Sequence, residues 1–386
     1  MAPILLGLSV RDLRGYAELD AVFPPGPQLV WGPNAAGKTS LLEAIVLAAW
    51  GRSHRTTADG ELVRWGQELA RVEARVGAPD SDVDTRDTVE VALVRTATGG
   101  ARKRIRVNGV ARRAASLVGV LRTVMFAPEE MLLVAGSPSL RRDALDRLAG
   151  QRSPAYLRDL ATYGRALQQR NGLLRLIRDE QATRAELRFW DVTLLDAGGA
   201  VRAERQRLLD ALEGPLAAAH AEIAPDEAAA GRLEVTYSTN APQLPGEPAR
   251  DALARRLAET AEKEVWNGTT LIGPHRDDLV FEMGGRPMAS FASRGQQRTA
   301  ILAFKLAELD LLTALDGRPP LLLLDDVFSE LDPERRAHLV RRIAALPQAF
   351  VTTTTLEDLD PALRSVGTAW AVAMAPDATS RLERGR

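Results

Sequence analysis

The chain contains no cysteine. That excludes disulfides, cysteine-zinc sites and thiol nucleophiles, and it suits a reducing interior, so the expected location is the cytoplasm. No apolar run reaches the length of a membrane span. The N-terminus lacks the charged start and small-residue cleavage site of a signal peptide. Neither sign of charge dominates, and the formal net charge is -1. A nucleic-acid partner is neither indicated nor excluded by that balance; it would need a local basic face. Lysine is scarce: Lys38, Lys103, Lys263 and Lys305 are the only four among 50 basic residues. The length of 386 residues suits one large or two modest domains.

What the chain does hold is Gly32-Pro33-Asn34-Ala35-Ala36-Gly37-Lys38-Thr39, which fits G-x-x-x-x-G-K-[ST]. Gln28 to Trp31 reads as a short buried strand before it, and Ser40 to Ile45 opens a helix after it. A loop that leaves a strand for a helix points backbone N–H groups and the helix dipole at a phosphate. Residues Gly32 to Ser40 are the expected nucleotide cradle. Lys38 reaches the β/γ-phosphates and the Thr39 hydroxyl ligates Mg²⁺. ATP and Mg²⁺ are the implied cofactors.

Leu321-Leu322-Leu323-Leu324 ends in Asp325-Asp326, the form of a buried parallel strand whose end meets the ligand. In such sites the first acid, Asp325, holds Mg²⁺. Asp326 is placed to orient or deprotonate the attacking water. Lys38, Asp325 and Asp326 are therefore the expected catalytic residues, with Thr39 and Asp325 on the metal. Successive side chains of a strand point to opposite faces, so only one acid can meet the metal from within the strand. Ser293-Arg294-Gly295-Gln296-Gln297-Arg298-Thr299 caps a second long helix, whose terminus can also face a phosphate. Two such termini in one chain imply a composite site shared across a two-fold axis.

Between these motifs lie further strands and a long helical stretch. Gly51-Arg52-Ser53-His54-Arg55-Thr56-Thr57 is basic and hydroxyl-rich, as suits a phosphate contact or a solvated turn alike. Arg71 to Val76 and Val89 to Thr96 read as strands around an acidic loop with Asp80, Asp82, Asp84 and Asp87. Asn108-Gly109 marks a type I′ hairpin flanked by Arg102, Lys103, Arg104 and Arg106. That hairpin is either a grip on phosphates or a charged, protected sheet edge. From Leu140 to about Leu216 the pattern is helical, with a heptad seam through Tyr156, Leu160, Tyr163, Leu167, Arg170, Leu174 and Ile177. The expected fold is α/β: an ABC/SMC-head-like P-loop ATPase with an antiparallel β subdomain and an inserted helical arm. The expected parts are 1–122 (P-loop and β subdomain), 123–228 (arm) and 229–386 (signature and second acid motif). The last residues from Pro376 read as a frayed tail.

Taken together, these residues resemble the bacterial RecF family, ATPases related to SMC and ABC heads. The resemblance covers nearly the whole chain. Beyond the P-loop it rests on Gly51-Arg52-Ser53-x-Arg55-Thr56, Val107-Asn108-Gly109, Phe126-Ala127-Pro128-Glu129 and Gly136 to Arg142. It rests above all on Gly273-Pro274-His275-Arg276-Asp277-Asp278-Leu279, Ser293 to Arg298, and Asp325 to Asp332. It implies a slow, DNA-stimulated ATPase that dimerises on ATP and binds double-stranded or gapped DNA and single-strand/duplex junctions. With RecR and RecO it would promote RecA loading at gaps and stalled forks. By the match, Ser293, Gly295 and Gln296 contact the partner's ATP, Ser329 to Asp332 line the dimer seam, and Pro128-Glu129 stands where relatives carry a glutamine lid. Arg52, Arg55, Arg102, Lys103, Arg104 and Arg106 are the candidate DNA contacts, and no membrane is involved. Two rivals share the P-loop. A transporter's nucleotide-binding subunit would carry a switch histidine after Val351-Thr352-Thr353-Thr354-Thr355, and none is there. An ATP-held structural clamp is harder to separate, since Asp326 replaces the commoner glutamate and its shorter reach slows hydrolysis.

Overall fold

The computed structural model describes residues 3–79 and 86–385. Asp80, Asp82 and Asp84 of the expected acidic loop lie outside the described residues. In chain order the main elements are β1 (Ile4–Leu13), β2 (Tyr16–Val22), β3 (Gly26–Trp31), α1 (Lys38–Trp50), β4 (Leu69–Gly77), β5 (Asp87–Arg95), β6 (Ala101–Val107), β7 (Val110–Arg112) and β8 (Thr123–Phe126). Next come α2 (Pro138–Arg152), α3 (Pro154–Arg178), α4 (Leu187–Ile223), β9 (Leu233–Ser238), α5 (Ala249–Asn267), β10 (Asp278–Met283), β11 (Arg286–Pro287) and α6 (Arg294–Ala314). The last are β12 (Leu321–Asp325), α7 (Pro333–Ala344), β13 (Gln348–Thr353), β14 (Thr368–Met374) and β15 (Ser380–Arg384).

These elements form two compact units. The first holds residues 1–131, 219–225 and 301–386; the second holds 132–218 and 226–300. The division differs from the expected boundaries at 122/123 and 228/229. Strand β8 pairs in parallel with β12 and so belongs to the first unit. Strands β9 and β10, which alternation alone cannot assign to a sheet, form a separate antiparallel sheet in the second unit.

The first unit contains two six-stranded sheets. One is antiparallel, in the order β2-β1-β4-β5-β6-β7; the other runs β15-β14-β3-β13-β12-β8. In the second, β14, β3, β13, β12 and β8 are mutually parallel, and β15 closes the border antiparallel to β14. All five residues of β12 are buried because strands flank it on both sides. Helix α1 touches β1, β4 and β5 of one sheet and β12 and β13 of the other. A helix covered on both sides needs apolar residues all round, and Leu41, Leu42, Ile45, Val46 and Leu47 are all buried. The chain from Pro376 is no frayed tail: β15 pairs with β14 from Trp370↔Arg384 to Met374↔Ser380. The Ser380 N–H also donates to the Gly15 carbonyl at 2.8 Å. Short polar segments after a Pro-Asp turn hide this strand from a periodicity argument.

The second unit is the inserted helical arm with a three-stranded sheet, β11-β10-β9. The heptad seam of α3 is buried or half-buried throughout. Its partners include α5 as well as α4: Tyr163 and Ala166 share a core with Leu194, Ala197, Leu253 and Leu257. The polar break at Arg170 is a buried cross-link, paired with Asp191 at 2.6 Å and Glu264 at 2.7 Å. Such a pair fixes which helices meet and in what register more than it adds stability.

Residues 273–279 serve the arm as a second cross-link. Buried Asp277 accepts from Tyr237 Oη and Thr239 Oγ1, each at 2.7 Å. Asp278 takes both arms of Arg141, at 2.7 and 2.8 Å. The Pro274 carbonyl accepts from Arg205 at 2.7 Å. His275 Nε2 donates to the Thr270 carbonyl at 3.2 Å, which leaves Nδ1 to accept from Tyr163 Oη at 2.5 Å. Burial pushes the His275 imidazole down to about 4, so it stays neutral in that role.

Candidate functional site

The P-loop leaves β3 at Trp31 and enters α1 at Lys38. Its glycines are demanded by crowding. A Cβ on Gly32 would lie 2.1 Å from the Val372 carbonyl oxygen of β14, and one on Gly37 would lie 2.5 Å from Ser380 Oγ of β15. Ala35 holds a left-handed φ of 64°, a strain on the order of 1–2 kcal/mol for a residue with a Cβ. Tyr16 Oη donates to the Gly37 carbonyl at 3.1 Å, and burial pushes that hydroxyl far above the usual tyrosine range. The loop is thus braced by β2, β14 and β15, while Pro33, Asn34 and Ala35 are exposed.

Lys38 Nζ donates to the carbonyls of Gly32 at 2.7 Å and Pro33 at 3.0 Å. Two of its three protons are used, and the third is left for a phosphate oxygen. Burial pushes the ammonium below the usual lysine range, against the pull of the Asp326 and Asp325 carboxylates. The structure therefore brings all three expected catalytic residues into one electrostatic neighbourhood.

The two acids are separated by a backbone event. Asp325 ends β12, and Asp326 turns left-handed at φ 53°, so the second acid leaves the sheet rather than continuing the alternation. Thr352 of β13 governs the junction. Its Oγ1 donates to Asp325 Oδ1 at 2.7 Å and accepts from the Asp326 N–H at 3.0 Å. Sequence reasoning passed over Thr352; the signal was a hydroxyl-bearing strand end next to the acid strand. Among the described residues there is no ready-made cluster of three or more acids or histidines for a metal. Mg²⁺ does not require one, because it binds through one or two protein oxygens together with substrate phosphates. The oxygen donors of Thr39 and Asp325 fit that habit.

Helix α1 also organises the basic segment after it. Glu43, fully buried, accepts from Arg14 Nε at 2.8 Å and Ser53 Oγ at 2.5 Å, with Arg55 at 3.7 Å. Burial alone would raise this carboxyl; the bonds from Arg14 and Ser53 outweigh it and hold Glu43 below the usual range. Ser53 in turn accepts from the N–H groups of Arg55 and Thr56 at 2.9 and 3.2 Å. The 51–57 segment is therefore a built turn tied to the P-loop helix. It also touches the hairpin: Lys103 Nζ donates to the Gly51 carbonyl at 2.6 Å and pairs with Asp59 at 2.9 Å.

That contact corrects one expectation. On β6 only Arg102, Arg104 and Arg106 are exposed; Lys103 points the other way and is already used inside the unit. Strand alternation forces the split. Arg106 is partly offset by Glu90 at 3.8 Å across the ladder. The turn at Asn108 and Gly109 has φ of 52° and 74°, as a type I′ hairpin needs.

In the second unit, Ser293 and Gln296 form a reciprocal cap on α6. The Gln296 N–H donates to Ser293 Oγ at 3.2 Å, and the Ser293 N–H donates to Gln296 Oε1 at 3.0 Å. Arg294 and Gly295 are exposed, and the cap residue Ser293 lies beside them at the surface. In the first unit, Glu129 is exposed and the next residue, Glu130, is buried against Lys305 at 2.5 Å.

With this geometry in place, comparison with known proteins decides the family. The model of the RecF/RecN/SMC N terminal domain matches residues 4–374. A protein of Chloroflexus aurantiacus named DNA replication and repair protein RecF is 42% identical over 377 residues, 91% of this chain and 93% of that protein. The protein of the same name from Limosilactobacillus fermentum is 41% identical, over 92% and 93%. The chain belongs to the RecF family. A solved structure of the recombination mediator protein RecF-ATP in the RecFOR pathway superposes with TM-score 0.86 at 29% identity, covering 100% of this chain and 98% of that one. An Smc head domain from Pyrococcus furiosus gives TM-score 0.55 at 15% identity, which shows the shared head fold alone. The expected architecture, an SMC/ABC-type ATPase head with a β subdomain and an inserted arm, is the one this family carries. Among the described residues, no helix is long and apolar enough to cross a membrane.

Proposed function

We propose that this chain binds Mg-ATP at Gly32 to Ser40 and hydrolyses it slowly as a switch for dimerisation and release on duplex DNA. The observation that carries the reading is the Lys38–Asp325–Asp326 neighbourhood, ordered by Thr352. Lys38 and the N-terminus of α1 hold the phosphates. Thr39 and Asp325 hold Mg²⁺, which when bound balances phosphate charge. Asp326, carried off the strand by its left-handed turn, orients the attacking water and takes its proton. Asp326→Asn keeps the shape and removes the base, worth roughly 10²–10⁴-fold in rate.

The composite-site reading assigns Ser293, Gly295 and Gln296 to the nucleotide of a second copy, and the exposure of that capped helix start supports it. DNA would meet the exposed arginines of β6 together with Arg52 and Arg55. Glu43 links that face to the P-loop helix, so nucleotide state and DNA grip share one element. RecR, RecO and RecA, at gaps and single-strand/duplex junctions, are the partners this reading implies, since the RecF-ATP structure is placed in the RecFOR pathway.

Single-turnover ATP cleavage, with and without duplex DNA, tests the reading. Wild type should hydrolyse faster on DNA. Asp326→Asn should bind ATP, stay dimeric and leave DNA slowly. Equal release of the two proteins from DNA after ATP is supplied would remove Asp326 as the timing residue.

A further inference from the structure

Strand β9 borders the three-stranded sheet of the arm, and among the described residues its only strand partner is β10. The Gly284 N–H donates to the Arg232 carbonyl at 3.0 Å, which fixes the phase of the ladder. Bonded and non-bonded pairs alternate in an antiparallel ladder. Glu234, Thr236 and Ser238 therefore bond to β10. Leu233, Val235 and Tyr237 turn their N–H and C=O groups to the open side.

A groove of about 360 Å³ runs there, between β9 and α4. Four consecutive residues, Glu234 to Tyr237, line it. A groove over one face of a strand would meet every second residue, so this one borders the edge. Its floor is apolar, with Leu209, Leu212 and Leu216 all nearly buried. Its rim is acidic, with Asp210, Glu213 and Glu234, and no lining residue is basic. Arg232 pairs with Glu213 at 2.6 Å and lies 3.5 Å from Glu234, which still leaves acid in excess. Such a rim repels a phosphate backbone.

We propose that this groove docks an extended segment of a partner protein with lysine or arginine at alternate positions, added as a fourth strand beside β9. Main-chain bonds to Val235 and Tyr237 give the affinity, and alternate side chains read the apolar floor and the acidic rim. The proposal is independent of the nucleotide site.

The test uses the full chain and a ten-residue alternating Lys-Val peptide, with an alternating Glu-Val peptide and a 24-base-pair duplex as rivals. Anisotropy titrations read binding, and amide hydrogen exchange reads its place. Val235→Pro removes only an outward N–H and leaves the pairs with β10. The Lys-Val peptide should bind, the Glu-Val peptide should not, and Val235 and Tyr237 should gain protection. Val235→Pro, and separately Asp210→Lys with Glu234→Lys, should each lower affinity at least tenfold. If Val235→Pro fails to fold, as its urea midpoint would show, the charge reversal and the exchange pattern decide. Equal binding of both peptides, protection elsewhere, displacement by duplex, or self-association lost in Val235→Pro would each overturn the proposal.

Discussion

Thr352→Val keeps the side chain's shape and removes one oxygen. That oxygen makes two bonds, to Asp325 Oδ1 at 2.7 Å and from the Asp326 N–H at 3.0 Å. Asp325 is only 4% exposed, so water cannot readily replace the lost donor. A hydrogen bond to a charged group contributes about 1.5–3 kcal/mol, and an orphaned N–H costs about 1 more. The valine variant should therefore lose roughly 2.5–4 kcal/mol on those figures. At the site the effect is on orientation. Losing the partner that aims a metal ligand typically costs about 10–100-fold in metal affinity. Mn²⁺ binding in the presence of nucleotide, followed by electron paramagnetic resonance, reads that loss, and urea unfolding reads the stability. Thr352→Ser retains the hydroxyl and should restore most of both. A valine variant with wild-type unfolding and wild-type Mn²⁺ affinity would refute the role.

Three further outcomes are expected. Ser293→Arg should abolish the dimer seen with a non-hydrolysable ATP analogue while sparing nucleotide binding, and it should cost about 1 kcal/mol as the helix cap is lost. Sedimentation with the analogue checks it. Replacing Arg102, Arg104 and Arg106 by alanine should weaken DNA binding and flatten the slope of log K against log salt by about 2–3, whereas Lys103→Ala should lower the urea midpoint, because Lys103 holds Gly51 and Asp59. Finally, burial lowers His275 to about 4, so its contribution is full above about 6.5 and is lost as pH falls towards 4. The span is worth about 3 kcal/mol. Urea melts from pH 7.5 to 4 should show that loss in wild type and a flatter profile in His275→Gln.

Much of the site was legible in the sequence because its geometry is local. Eight contiguous residues make the P-loop, and an apolar run of four fixes the acid strand. Ser293 and Gln296 announce a cap by their spacing alone. The braces around them come from distant chain and leave no pattern: Thr352 for Asp325, Glu43 for Ser53, Ser380 against Gly37. Alternation along β6 divides its basic residues between two faces, and Lys103 falls on the inner one, where grouping by charge alone misplaces it. Strand β15 was missed because pairing, not apolarity, makes it a strand. The two-unit division differs from the expected bounds for a related reason: β9, α5 and β10 carry ordinary strand and helix patterns, and only their partners show which unit they join.

The order of strands in the parallel sheet also sets a timetable. Strand β3, which launches the P-loop, lies between β13 and β14. About 320 residues are synthesised between Trp31 and the last residue of β13, Thr353, and at about 5–20 residues per second that takes roughly 15–65 s on the ribosome. The antiparallel sheet can assemble from the first 112 residues during this interval. The nucleotide loop cannot, because the backbone of Val372 and the side chain of Ser380 that shape it emerge later still than β13. A nascent chain should accordingly gain ATP affinity only once β13, β14 and β15 have emerged, and one stalled before them should expose both flanks of β3 to chaperones.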